Sequence, residues 1–138
     1  MNTIVRGAML LMILAILASC SSIPPADPSE PAVAPEYGLI VANYIKRGPL
    51  FPWSTYTDFE ISDLRWVHAI TGWNWLTCVR FNDRGNRRFY SFFIQGDAVV
   101  FSRYDVITDN CVVRNYVPFD VGTGATGQAA MSHWEPLH

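Results

Sequence analysis

The chain has 138 residues, of which half are hydrophobic and 14% aromatic, with 12 acidic side chains against 10 basic ones. The formal net charge of −2 argues against nucleic acid as a partner, because binding a phosphate backbone requires concentrated positive charge. The length fits one domain and is too short for two of ordinary size.

The first twenty residues resemble a bacterial lipoprotein signal peptide. Arg6 precedes an uncharged run, AMLLMILAILA, of about eleven residues, whereas a membrane-spanning helix needs about 20. The tetrapeptide LASC then resembles a lipobox, whose cysteine thiol takes a diacylglycerol. We therefore predict a signal peptide at 1–19 and lipidation at Cys20, which would anchor the chain in membrane lipid. The alternative is an ordinary secretory signal that contains a cysteine by chance.

The residues after the cysteine predict location and spacing. In Gram-negative lipoproteins a residue other than Asp after the lipidated cysteine implies sorting to the outer membrane, and Ser21 stands there. The resemblance therefore implies a cell-envelope protein anchored in the outer membrane and facing the periplasm. Five prolines between 20 and 35 suppress helix and sheet, so we expect a lipidated linker that spaces the domain from the membrane. A proline-rich ligand for a partner is the alternative.

Two cysteines remain if Cys20 is lipidated. Cys78 and Cys111 are expected to pair, because thiols in an oxidising compartment usually form disulfides. A buried pair of free thiols, or a catalytic Cys78 with a histidine partner, are the alternatives.

A helix is the first element that the pattern predicts. Pro35 suits a first helical turn, and apolar residues then recur at helical spacing from Tyr37 to Ile45. The pattern ends in the order expected of a helix terminus, with two basic residues, a glycine and a proline: Lys46, Arg47, Gly48 and Pro49.

Strand patterns follow, separated by turn residues. We predict strands at 58–67, 73–81, 88–95, 98–106 and 111–117, with a polar turn at 82–86 and consecutive hairpins in an antiparallel sheet. The predicted fold class is α+β, with one N-terminal amphipathic helix packed on a small antiparallel sheet of three to five strands. The globular domain is placed at 36–120 and a flexible glycine-rich tail at 121–138.

Stretches of this domain are similar to a family of small alpha-proteobacterial envelope lipoproteins of unassigned function. The resemblance rests on YGLIVANYIKRGPLFPWST, GWNWLTCVRFN and FYSFFIQGDAVV, which together span about residues 36 to 111. Members of the family have a lipobox, a proline-rich spacer, a helix, a CVRxN strand and a following strand with DGxVV. The hairpin insertion that the family often carries is shorter here, at 83–88. The resemblance implies fold and location, and no activity.

Several patterns suggest chemistry but are better explained without it. Gly122, Gly124 and Gly127 match GxGxxG, yet too few residues follow to complete a nucleotide-binding unit, and Gln128 stands where a phosphate loop needs lysine. The three histidines lack metal-ligand spacing. Three acids near the start of the first strand, Asp58, Glu60 and Asp63, could serve a cell-wall hydrolase, but surface acids are usually only solvated. We predict no catalytic residue, metal or cofactor.

Two surfaces suggest binding. Arg84, Arg87 and Arg88 concentrate positive charge at a hairpin of a net-negative chain, and arginine suits contacts with an anionic envelope surface or an acidic protein. Trp53 is the first of several tryptophans that could line an aromatic groove. The function predicted from the sequence is therefore a non-catalytic structural or protein-interaction role. A small ligand-binding or inhibitor lipoprotein is the alternative, and a cell-wall hydrolase is the third possibility.

Overall fold

The structure is a computed structural model, which describes residues 29–48, 52–69 and 72–131. The predicted signal peptide and the lipidation site at Cys20 lie outside these residues. The regular elements are helix α1 (Tyr37–Arg47), strands β1 (Thr57–Ser62), β2 (Arg65–Ala69), β3 (Gly72–Asp83), β4 (Asn86–Gln95), β5 (Ala98–Tyr104) and β6 (Tyr116–Pro118), and helix α2 (Gln128–Met131).

The strands form one antiparallel sheet with the order β5–β4–β3–β1–β6, and β2 also pairs with β3. Strand β3 is the longest at 12 residues, and it has two partners on one side. Its first half pairs with β2, placing Trp66 opposite Trp75. Its second half pairs with β1, placing Ile61 opposite Val79. The central position of β3 explains its nearly continuous burial.

The predicted fold class is wrong. The sheet has six strands rather than three to five and dominates the described chain, while the helices are short, at 11 and 4 residues. One predicted strand, 58–67, is two strands, because the chain turns at Asp63 and Leu64 and both parts pair with β3. Because the sheet dominates and the helices are short, the described chain is a mainly antiparallel β protein rather than an α+β protein.

The predicted strand at 111–117 is also only partly correct. Residues Ile107–Asp109 and Cys111–Val113 form two short 3₁₀ helices, and only Tyr116–Pro118 pairs with β1. Asn110 between the two turns has φ of 56°, a left-handed conformation that breaks any extended run. Two apolar β-branched pairs, at 106–107 and 112–113, therefore stand on tight turns rather than in a strand.

The buried core joins one face of the sheet to residues from α1 and from the C-terminal segment. Its members include Val41, Ala42 and Ile45 of α1, with Ile61, Trp75, Val79, Phe81, Phe92, Ile94, Phe119 and Val121. Alternate residues of β3 contribute, as period-two patterning requires. Val121 and Ala130, in the segment that composition assigns to a tail, are 4% and 2% exposed.

A tight turn follows β6 and brings that segment against α1. The Asp120 carboxylate accepts hydrogen bonds from the Gly122 amide at 2.8 Å and the Thr123 hydroxyl at 2.9 Å. Gly124 has φ of 80°, and a Cβ there would lie 2.7 Å from Leu39 Cα. The glycines of the GxGxxG pattern thus include one that allows two backbones to touch, which is a packing role.

Candidate functional site

A cleft in the described chain has a volume of about 780 Å³ and is open to solvent. It lies between the 3₁₀ turn Trp53–Thr55, the start of β1 and the turn after β6. The lining side chains include Trp53, Tyr56, Asp58, Phe59, Glu60, Arg87, Pro118, Phe119 and Met131. Its walls are mainly apolar and carry a few charged groups, which is the usual composition of a binding pocket.

An irregularity at the start of β1 shapes the cleft. The pairing of β1 with β3 shifts register between Thr57 and Glu60, and Asp58 has φ of 55°. The Asp58 carboxylate accepts hydrogen bonds from Asn82 Nδ2 at 2.6 Å and Thr57 Oγ1 at 3.2 Å. These side-chain bonds hold the bulge, and Thr57 and Asp58 both line the cleft together with Trp53.

A three-residue charge cluster borders the cleft. The Glu60 carboxylate accepts bonds from Arg80 Nε at 2.6 Å, Arg80 Nη2 at 2.9 Å and Arg87 Nη1 at 2.8 Å. The Arg80 guanidinium also lies over the Tyr116 ring, 4.3 Å from its centroid. Two guanidinium groups share one carboxylate, so these three groups have a net charge of +1, within a cleft whose lining also contains Asp58 and Asp120.

The charge state of Glu60 follows from these bonds. Hydrogen bonding by Arg80, with a further contribution from Arg87, holds the pKa of Glu60 below its ordinary value despite partial burial. A general acid in glycoside hydrolysis needs a raised pKa so that it holds a proton near neutral pH. Glu60 therefore suits an ion pair rather than proton donation.

The structure separates the three predicted arginines. Arg87 lines the cleft and bonds Glu60, whereas the nearest charged contact of Arg88 is Asp83 at 3.9 Å. Arg87 and Arg88 are consecutive in β4, so their side chains point to opposite faces of the sheet. Arg84 lies in the two-residue β3–β4 turn with φ of 50°. Trp53 and Arg87, predicted for two different surfaces, line the same cleft.

Glu60 is the cleft residue whose role sequence reasoning missed. The pattern named it as a surface acid with possible hydrolytic use, and it is an acceptor for two arginines. The antiparallel register places Glu60 opposite Arg80 and Asn82 opposite Arg87. The sequence signal for this role was a pair of oppositely charged residues facing each other across neighbouring strands. Which residues face each other depends on the strand register, and that register depends on the position of the β1 bulge.

The predicted disulfide is confirmed. Cys78 on β3 and Cys111 in a 3₁₀ turn are bonded, with their Cα atoms 5.7 Å apart, and both are buried. The Ser91 hydroxyl lies 3.3 Å from Cys111 Sγ. The bridge fixes the segment 105–115 against the face of the sheet opposite the core.

A buried aspartate holds the same segment. Asp109 accepts hydrogen bonds from Arg103 at 2.7 and 3.1 Å and from Ser91 Oγ at 2.7 Å. Burial raises the pKa of Asp109, but the bonds from Arg103, Ser91 and the Val106 amide outweigh burial, so its pKa lies below the ordinary value. The disulfide and the hydrogen bonds to Asp109 thus fix the loops on either side of Asn110 independently of each other.

These fixed loops present aliphatic side chains to solvent. Ile107 is 94% exposed and Val113 is 79% exposed, with Val106 and Val112 beside them. We call these four residues the aliphatic loop surface. Rigid loops that hold apolar side chains in water are typical of interaction surfaces.

Comparisons with known proteins add no identification. No protein-family model matches the sequence, and neither a curated protein nor a solved structure matches it significantly. Within 29–48, 52–69 and 72–131, no helix is long and apolar enough to cross a membrane. The same residues contain no group of three or more side chains arranged to hold a metal ion.

Proposed function

We propose that this chain is a lipid-anchored, non-catalytic binding protein of the bacterial cell envelope. Cys20 holds it in the outer membrane, and the domain faces the periplasm and binds a segment of an envelope protein in the cleft. The observation that carries the binding role is that Trp53 and Arg87 line one cleft beside Glu60. An aromatic wall and a guanidinium group suit a segment that has a carboxylate next to an apolar side chain.

The Arg80–Glu60–Arg87 cluster supports binding of a carboxylate at one side of the cleft, whose lining elsewhere carries Asp58 and Asp120. Arg80 and Arg87 already share one carboxylate, and a second carboxylate would neutralise the pair. The Arg87 side chain is 44% exposed, so it can donate to a ligand without breaking its bond to Glu60. A small-molecule ligand is the second candidate, supported by a cleft volume within the usual range for ligand pockets.

Co-purification from envelope membranes tests the binding role. Trp53→Ala and Arg87→Gln in the full chain are each expected to reduce partner recovery at least about tenfold, while Arg84→Gln, a matched control outside the cleft, retains it. Recovery should also fall as salt rises, because partly exposed charges are screened. Equal recovery by all three variants would exclude the cleft as the binding site. A bound small molecule without a protein would support the second candidate.

Labelled palmitate tests the anchor. Wild-type chain should incorporate the label and fractionate with the outer membrane, whereas Cys20→Ala should do neither. The matched control is the Cys78→Ala and Cys111→Ala double variant, which keeps Cys20 and should remain labelled. Incorporation by Cys20→Ala would refute the lipidation site.

A further inference from the structure

The exposed side chains of the aliphatic loop surface and of the residues between them carry no charge. At 106–113 the exposed residues are Val106, Ile107, Thr108, Asn110, Val112 and Val113. The acid of this stretch, Asp109, is 3% exposed and is bonded by Arg103, and Cys111 is in the disulfide. Water therefore meets four aliphatic side chains, one hydroxyl and one amide. Such a surface can leave water without stripping an ion of its hydration.

The backbone of these loops is largely satisfied from within the chain. Five of the eight carbonyl groups at 106–113 accept hydrogen bonds, and they belong to Val106, Ile107, Asp109, Asn110 and Cys111. The donors are amides of the two 3₁₀ turns and their caps, together with the Arg65 guanidinium and the Tyr116 hydroxyl. An unpaired backbone group is costly in hydrocarbon, so loops with these internal bonds suit a lipid environment.

Charged side chains flank the aliphatic loop surface and balance one another. Arg114 directly follows the loops and pairs with Asp63 at 2.8 Å. Arg65, whose guanidinium is bonded to a loop carbonyl, and Asp105 add one charge of each sign. Guanidinium groups at such a border suit the phosphates of lipid headgroups. Because the border is close to neutral, apolar contact rather than attraction to anionic lipid has to supply most of the binding.

The residue types favour a bilayer over a protein as the occupant. Residues that dominate binding energy in protein interfaces are mostly Trp, Tyr and Arg, and valine is under-represented among them. The aliphatic loop surface consists of three valines and one isoleucine. Both residue types transfer favourably into the hydrocarbon of a membrane.

The proposed anchor keeps a bilayer within reach of this surface, and in this respect the inference rests on the proposed function. Tyr37, the first residue of α1, lies 17 residues after Cys20. A chain of that length spans at most about 60 Å, whereas a domain of about 100 residues has a radius of gyration of about 13 Å. Any face of the domain can therefore touch the membrane that holds the anchor.

We propose that the aliphatic loop surface inserts into the interface of the phospholipid bilayer, as a second membrane contact beside the lipid on Cys20. The tether raises the effective concentration of this surface at the membrane, so a weak intrinsic affinity is enough. One tether leaves the domain free to rotate, and the second contact fixes which face meets the lipid. The disulfide and Asp109 hold the loops rigid, so little ordering is lost on insertion.

Lipid quenching of a probe on the loops tests the contact. The lipidated chain carrying Thr108→Cys is labelled with nitrobenzoxadiazole and reconstituted into vesicles of neutral phosphatidylcholine. Its emission should shift to shorter wavelength and be quenched by lipids that carry a doxyl group on the acyl chain. Val117→Cys is the matched control, because Val117 is 41% exposed and pairs with Ile61 of the core, which places it on the other face of the sheet. Its probe should not be quenched.

Acidic substitutions test whether the aliphatic side chains cause the contact. Ile107→Asp and Val113→Asp should each reduce quenching of the Thr108→Cys probe at least about tenfold, because a carboxylate enters hydrocarbon at high cost. Val33→Asp is the matched control, since Val33 is 82% exposed but lies before α1, and it should leave quenching unchanged. Quenching should also change little as salt rises. Unchanged thermal melts would show that the variants fold.

Flotation of the same vesicles separates this inference from the proposed function. A chain that floats while its Thr108→Cys probe is not quenched keeps the anchor and overturns the insertion. A chain that does not float overturns both membrane contacts. A wavelength shift that grows with the ratio of protein to lipid, without doxyl quenching, would assign the surface to a second copy and overturn the proposal. Equal quenching in the Ile107→Asp, Val113→Asp and Val33→Asp variants would overturn it as well.

Discussion

Asp109 and Arg103 form a two-point ion pair in which the carboxylate is almost fully buried and the guanidinium is one quarter exposed. Asp109→Asn removes the charge that neutralises Arg103 and leaves donors without their acceptor. We expect a loss of about 3 kcal/mol in the free energy of unfolding, at the low end for a buried pair because Arg103 remains partly hydrated. Urea denaturation measures it. Asp97→Asn, on the exposed β4–β5 turn, is the control and should cost under about 0.5 kcal/mol; an equal loss in both would contradict the prediction.

The Cys78–Cys111 bridge closes a loop across 33 positions of sequence. Chain-entropy arguments give about 4 kcal/mol for a loop of that size. The double variant Cys78→Ala and Cys111→Ala should lose about that much in urea denaturation under non-reducing conditions. Cys20→Ala keeps the bridge and should match wild type. A loss below about 1 kcal/mol in the double variant would show that the bridge contributes little.

Stability should fall in acid because of Glu60 and Asp109. Both have pKa values below their ordinary range, through bonds from Arg80 and Arg87 in one case and from Arg103, Ser91 and Val106 in the other. Each contribution is complete above the ordinary carboxyl pKa of about 4 and is lost as pH falls through the lower folded value. Urea midpoints measured from pH 7 to pH 3 should therefore decrease. Glu60→Gln should flatten the decrease, whereas exposed Glu30→Gln should not.

Alanine substitutions at Gly124 and Gly127 distinguish the stability cost of backbone strain from the cost of a close contact. Both have positive φ, but a Cβ at Gly124 would meet the Leu39 backbone, while nothing lies within 4 Å of a Cβ at Gly127. Gly127→Ala should cost about 1 kcal/mol, because alanine is disfavoured in the left-handed conformation. Gly124→Ala should cost at least about 2 kcal/mol, since a clash with backbone adds to that strain. Thermal melts of the two variants test this, and equal shifts would refute the contact.

The three predicted arginines can be tested singly. If the arginines act as one anionic-surface patch, Arg84→Gln, Arg87→Gln and Arg88→Gln should weaken binding to anionic lipid vesicles by similar factors. If the partner binds in the cleft, its binding should depend on Arg87, while Arg84 and Arg88 contribute little. Flotation with vesicles and co-purification, measured on the same three variants, distinguish the two mechanisms.

Local patterning predicted the hairpins but not the assembly. The pattern at 73–81, 88–95 and 98–106 lies close to β3, β4 and β5, because alternation and the turns at Gly85 and Gly96 are short-range signals. The corner at Asp63 and Leu64 contains no glycine or proline, so one predicted strand concealed two. The strand count was therefore too low, and the weight given to one helix of 11 residues made the predicted class α+β.

The disulfide was predictable and the cleft was not. Cys78 and Cys111 are the two cysteines outside the tetrapeptide that resembles a lipobox, and predicting their pairing needed only that count and the expectation of an oxidising compartment. Trp53 and Arg87 line one cleft together with the start of β1 and the end of β6, and the pairings of these strands join residues far apart in sequence. Composition and periodicity describe residues that are close in sequence, and they do not predict contacts between distant segments.

The sheet order also has a kinetic consequence. Strands β2 to β5 form by successive hairpins between neighbours, whereas β6 joins β1 across more than 50 intervening residues, as with Tyr116 opposite Ser62. Closing a long loop costs more entropy before any contact forms, so we expect the hairpins to assemble first and β6 to add last. Until β6 adds, the β1 edge stays open and Pro118 and Phe119 are missing from the lining of the cleft. The cleft is therefore among the last parts of the molecule to form.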